Sequence, residues 1–127
     1  MKPPVMKYQD VDFASIANVE AAIMRNDPAE LLYVPIAVSL HSPDLGWAQG
    51  ICICLASHPN SGVRGNAILG FGHLARRFGQ LERQTIEPLI LAALSDPTDY
   101  VRGQALDAAD DIETYLGWKS KKGFRVE

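Results

Sequence analysis

A chain of 127 residues that is 47% hydrophobic and 21% charged is long enough to bury one core without disulfides or metals, and too apolar to remain disordered. Its formal charge of −3 makes it mildly acidic, and no run of about 18 apolar residues offers a membrane helix. Pro3-Pro4 interrupts the N-terminal stretch where a signal peptide needs an unbroken apolar run, so a single cytoplasmic domain spanning 1–127, with no membrane association, is expected.

In chain order, residues 1–10 read as a frayed lead-in, since Pro3-Pro4 opposes helix and no apolar period is present. From Val11 the pattern turns helical, with Phe13, Ile16, Val19 or Glu20, and Ile23 on one stripe and Asp12 or Ser15 available as a cap. That helix stops near Asn26-Asp27. Pro28 opens a second helix, whose run Leu31, Leu32, Val34, Ile36, Val38 and Leu40 is too apolar for a surface; Pro35 bends it or splits off its first turn. A third helix follows over 45–57, apolar almost all round. Its small residues Gly46, Ala48, Gly50 and Ala56 suit close approach of neighbouring helices. Cys52 and Cys54, two apart on it, point to roughly opposite sides and read as buried thiols rather than a disulfide or a metal pair.

After His58-Pro59-Asn60, with Ser61 as cap, a long fourth helix runs to Phe78 and is ended by Gly79. Gly65, Gly70 and Gly72 each cost it about 1 kcal/mol of propensity against Ala, which packing must offset. The fifth helix covers 84–94 and the sixth 99–116, ended by Gly117. The segment 118–127, with Lys119, Lys121, Lys122 and Arg125, reads as a loosely held basic tail.

An internal repeat orders these elements. Ser95-Asp96-Pro97 with Val101-Arg102-Gly103 and Ala105 echoes Ser57-His58-Pro59 with Val63-Arg64-Gly65 and Ala67 at a constant offset of 38 residues. Val63, Ala67, Phe71, Leu74 and Phe78 match Val101, Ala105, Ala109, Ile112 and Leu116, so both helices turn the same stripe to the core. Turns built on Pro28, Pro59 and Pro97 divide the chain into three helix–turn–helix units at 11–41, 45–79 and 84–117. On these residues the chain resembles the HEAT repeat family, and the 38-residue offset, a little short of the usual range of about 40–47, is similar to the shorter bacterial HEAT-like repeats. The resemblance implies an all-α fold, a right-handed α–α superhelix of about three repeats and six helices. It also implies that Arg64 and Arg102 reach an aspartate of a neighbouring turn, with Asp96 and Asp99 available.

Chemistry-bearing motifs are sparse. His41, His58 and His73 stand at no metal-ligand or base–carboxylate spacing, no phosphate loop occurs, and Gly70-Phe71-Gly72 falls inside a helix; a non-enzyme without cofactor or metal is expected. HEAT-like DNA glycosylases are longer arrays with a basic channel, whereas this chain is short and acidic overall.

Charge is unevenly spread: 96–117 carries one basic and six acidic residues, while 118–127 carries four and one. On the sixth helix Asp107, Asp110 and Asp111 occupy spacings of three and four and face away from the core stripe, as a solvated face or as a docking surface for a basic partner. With the 38-residue offset, Gln104 neighbours Asn66, Asp107 neighbours Leu69, Asp111 neighbours His73 and Thr114 neighbours Arg76. In a HEAT-like array this is the concave face, so Asn66, Leu69, His73, Gln104, Asp107, Asp110 and Asp111 are the expected partner-binding residues, with Leu69 or Trp47 as apolar anchors.

In build, the chain is similar to bacterial immunity proteins, including those of contact-dependent growth inhibition systems. That resemblance implies binding and neutralising a cognate toxin domain, often a basic nuclease. Two alternatives stand beside it: a HEAT-like scaffold for an endogenous protein, and nucleic-acid binding through Arg76, Arg77, Arg83 and the tail. Close helix–helix contact through the glycines of the fourth helix, in a homodimer, is a further option left open.

Overall fold

The computed structural model describes residues 15–119. The expectations for 1–10, for Asp12 and Phe13, and for most of the basic tail lie outside the described residues. Those residues form helical segments joined by short turns, with no strand among them.

Helix α1 (Ile16–Arg25) starts at Ser15, whose Oγ accepts from the Asn18 N–H, and stops at Asn26, which takes the left-handed conformation at φ 53°. Its buried stripe is Val19 and Ala22, flanked by the partly buried Ile23. Ile16, expected on that stripe, is 52% exposed.

The second expected helix is broken. Helix α2 (Pro28–Leu31) is a single turn capped by Asp27, and α3 (Val34–His41) resumes after Leu32-Tyr33. Pro35 is the cause: it has no N–H to donate, and its ring would strike the Leu31 carbonyl in a continuous helix. Of the two outcomes the sequence leaves open, splitting off the first turn is the one adopted.

Helix α4 (Leu45–Leu55) is capped by Asp44. Helix α5 (Ser61–Phe78) is capped by Asn60 rather than Ser61, because the Asn60 Oδ1 accepts from the Val63 N–H at 3.1 Å, leaving Ser61 as the first helical residue. Helix α6 (Arg83–Ala93) is followed by the Asp96-Pro97 turn, and α7 (Asp99–Leu116) is capped by Thr98. Gly79 and Gly117, at φ 69° and 72°, end α5 and α7 in the left-handed conformation that glycine adopts without strain.

Helix α5 is the centre of the packing, lying between α3 and α7 and covered by α4 and α6. Contacts between α5 and α7 advance together along both helices, from Gly65 against Tyr100 to Gly72 against Ala108, so the two run parallel. The first helices of the second and third units, α4 and α6, touch each other and form the opposing layer. The core between the layers includes Phe71 and Leu74 of α5, Ile86 and Ile90 of α6, and Ile112 of α7, all fully buried.

Glycine placement explains why α5 tolerates its low propensity. A Cβ at Gly70 would lie 2.8 Å from the Cys52 Sγ, and one at Gly72 would lie 3.1 Å from the Ala108 Cα. The helix thus admits α4 on one side and α7 on the other. By contrast, the Gly46 and Gly50 positions of α4, expected to admit neighbours, are exposed, and a Cβ at Gly50 would meet nothing within 4 Å. Since Gly65, Gly70 and Gly72 are buried against helices of the same chain, they are not available for a homodimer contact.

Two further side chains close the ends of the stack. Arg77 donates to the Ser39 and Ser42 carbonyls at 2.8 Å each, satisfying groups left open at the C-terminus of α3. Beyond Gly117 the chain is held, contrary to the expectation of a loose tail from residue 118: Trp118 is buried with Arg83 stacked on its ring, and the Lys119 ammonium reaches Glu113 at 3.5 Å. Residues 120–127 lie outside the described region.

Candidate functional site

The seam between α5 and α7 gathers nearly all the side chains that the sequence singles out. It begins at the turns. Arg64, in the first turn of α5, forks onto the Asp96 carboxylate at 2.8 and 3.0 Å and donates to the His58 carbonyl at 2.9 Å and the Pro59 carbonyl at 3.2 Å. Side-chain exposures of 18% and 11% put this ion pair largely out of water. Asp96 also accepts from the Thr98 N–H and Oγ1. The Arg64 guanidinium, aided by Thr98, holds the Asp96 carboxyl well below the usual carboxylate range.

Arg102 repeats part of this geometry. It donates to the Asp96 carbonyl at 2.7 Å, as Arg64 does to His58, but its carboxylate is Asp99 of its own helix rather than one from a following turn. The two arginines therefore differ: Arg64 ties two turns together, while Arg102 braces its own.

Two residues further along, Asn66 is buried at 4% exposure, with both ends of its amide engaged. Its Nδ2 donates to the Leu32 carbonyl at 2.9 Å, and its Oδ1 accepts from the Tyr100 hydroxyl at 2.5 Å and the Gln104 amide at 3.1 Å. Leu32 lies in the break between α2 and α3, so this one amide satisfies a carbonyl freed by that break and joins it to α7. Asn66 consequently leaves the set of surface residues expected to meet a partner, and the half-buried Gln104 is partly committed with it.

Beyond this network the seam opens to solvent. Asp107 and Asp110 are exposed on α7, and Leu69, His73 and Asp111 are half-buried. Arg76 of α5, expected beside Thr114, instead faces Asp111, with the guanidinium 3.8 Å from the carboxylate. Asp111 is thus partly compensated from the neighbouring helix. His73 lies by both groups: desolvation foremost, and then Arg76, lower its pKa, while Asp111 opposes them. Its Nδ1 is buried without a hydrogen-bond partner, which favours the neutral ring. Trp47, the alternative apolar anchor, sits on α4 in the other layer, half-buried, with its indole N–H also unpartnered.

Exposed Tyr100 is the residue that the sequence reading passed over. It covers Gly65, where a Cβ would lie 2.9 Å from its ring, while its hydroxyl anchors to Asn66. The available signal was the pairing of Gly65 with an aromatic on the next helix start. The surface therefore carries the exposed Tyr100 and the half-buried Leu69, with the carboxylates of Asp107 and Asp111 on α7 and that of Asp110 further round the same helix. Among the described residues no group of three or more His, Cys, Asp or Glu side chains is placed to hold a metal ion, and no helix is long and apolar enough to cross a membrane.

Compared with protein-family models, with curated proteins and with solved structures, the chain finds no match. What the fold itself defines is an all-helical protein whose helices pack in two layers about α5.

Proposed function

We propose that this chain is a non-catalytic protein-binding module of HEAT-like repeats, arranged as a short right-handed superhelix, that works in the cytoplasm as an immunity protein against a cognate toxin domain. The observation that supports it is the acidic exposed side of α7, with Asp107, Asp110 and the half-buried Asp111, on a helix that Asn66 and Arg64 tie to α5 and its Leu69. Such a surface suits a basic protein: carboxylates steer association, and a rigid apolar neighbour supplies contact area with little ordering cost. It is poorly suited to nucleic acid, whose phosphates it would repel. The partner class that fits is a basic nuclease domain, whose substrate groove the carboxylates would occupy in place of phosphates.

The test is capture of partners by the tagged chain at low salt, followed by inhibition of the captured domain's activity. Replacing Asp107, Asp110 and Asp111 together by asparagine should slow association roughly tenfold or more and flatten its salt dependence. Unchanged affinity at low salt, or capture of only an endogenous complex, would overturn the immunity assignment, the latter in favour of a scaffold.

A further inference from the structure

We infer that copies of this chain associate head to tail, the outer edge of α7 in one copy receiving the first helix–turn–helix unit of the next. The inference rests on register. Position by position, the outer edge of α7 repeats the edge of α5 that receives the third unit, but nothing among the described residues covers it. Gly65, against which the Tyr100 ring packs, corresponds to Gly103, where a Cβ would meet nothing within 4 Å. Ile68, 1% exposed, corresponds to Leu106, 42% exposed. Ile53, packed on the core, corresponds to Leu91 of α6, 40% exposed. Arg64 finds its carboxylate on the following turn, whereas Arg102, anchored in the same way to a carbonyl six residues back, has among the described residues only Asp99 of its own helix.

The first unit offers the complement. Asp27 stands before Pro28 as Asp96 stands before Pro97, and both turn a carboxylate oxygen to the N–H two residues on, at 3.1 and 2.9 Å. Asp96 has Arg64 from the preceding unit; Asp27 is exposed and could take Arg102 of another copy. Next to it α1 presents Met24, 84% exposed, and Ile16, 52% exposed, to meet Leu91 and Leu106. Asp110 limits the fit, since it occupies the register of Gly72 and keeps a neighbouring helix off the second half of α7. The single turn of α2 needs only the first half. An arrangement of this kind is heterologous, so it propagates rather than closing on a two-fold axis, and it leaves Leu69, Tyr100 and Asp111 of the α5–α7 seam free, with Asp110 beside the contact.

Sedimentation velocity of the full chain from micromolar to millimolar concentration tests it. The weight-average mass should climb through multiples of the monomer. Leu106→Asp and Met24→Asp alter exposed positions on opposite edges, and each alone should abolish the climb. Mixing the two should restore one intact contact and stop at a heterodimer. A monomeric wild type, association by either single variant, or a mixture that stays monomeric would overturn the proposal.

Discussion

Replacing Asp96 by asparagine removes the charge from the tie between the second and third turns while keeping an oxygen for the Thr98 N–H and hydroxyl. The amide nitrogen then takes the place of Oδ2 and faces the Arg64 Nε–H, donor against donor, and the arginine keeps the uncharged Oδ1 for Nη2 and the His58 and Pro59 carbonyls for Nη1. Fully exposed pairs contribute about 0–1 kcal/mol and breaking buried ones costs about 3–5 kcal/mol. With both side chains less than a fifth exposed, a loss of about 2–3 kcal/mol is expected near neutral pH. Urea unfolding read by circular dichroism measures it, and the midpoint should fall without a change in slope. The sign of the pH dependence follows from the depressed pKa of Asp96. Its stabilisation is present above the ordinary aspartate pKa of about 3.9 and is lost as the pH falls toward the folded value, so the gap between wild type and variant should narrow below about pH 4. A loss under about 0.5 kcal/mol at neutral pH, as for an ordinary surface substitution, or a gap independent of pH, would refute the reasoning.

Two further outcomes follow from the packing. Gly50→Ala, at an exposed helical position with open space around it, should stabilise the chain by about 0.5–1 kcal/mol, whereas Gly72→Ala, which drives a methyl against the α7 backbone, should destabilise it by about 1–3 kcal/mol; thermal melts of the two should move in opposite directions. Burial pushes the Cys52 thiol up to about 12 while Cys54, expected to be buried as well, is exposed, so a thiol reagent should titrate one cysteine rapidly in the native protein and the second only in denaturant.

The parts of the fold that sequence foretold are those set by backbone chemistry. Gly79 and Gly117 end two long helices because a left-handed residue is needed there, and Pro35 breaks a helix because it lacks a donor. The repeat offset correctly set Gln104 beside Asn66. What it could not give is which side of each residue is covered. Asn66 reads as polar and therefore exposed, yet the freed Leu32 carbonyl and the Tyr100 hydroxyl give it partners inside. Small residues on α4 and α5 look alike in sequence, and only the three-dimensional neighbours distinguish open Gly50 from crowded Gly70. Trp118 follows a helix-ending glycine and sits among basic residues, which suggested a loose tail, but its ring returns to Arg83. The candidate site kept its carboxylates, gave up Asn66 to the interior and acquired Tyr100.

The ties through Arg64, Asn66 and Arg77 bear on how the chain assembles. They span 32 to 38 residues, linking each unit to the one beside it. Loop closure over such distances is entropically modest, and a fold made of neighbour-to-neighbour closures has low contact order. The Asn66 amide nevertheless sets a sequence of completion: its donor can engage Leu32 once α5 exists, but its acceptor is left to water until Tyr100 and Gln104 arrive with α7. A nascent chain that has made two units therefore still carries an open polar socket, and the third unit acts as the plug that turns a helical hairpin pair into a finished protein.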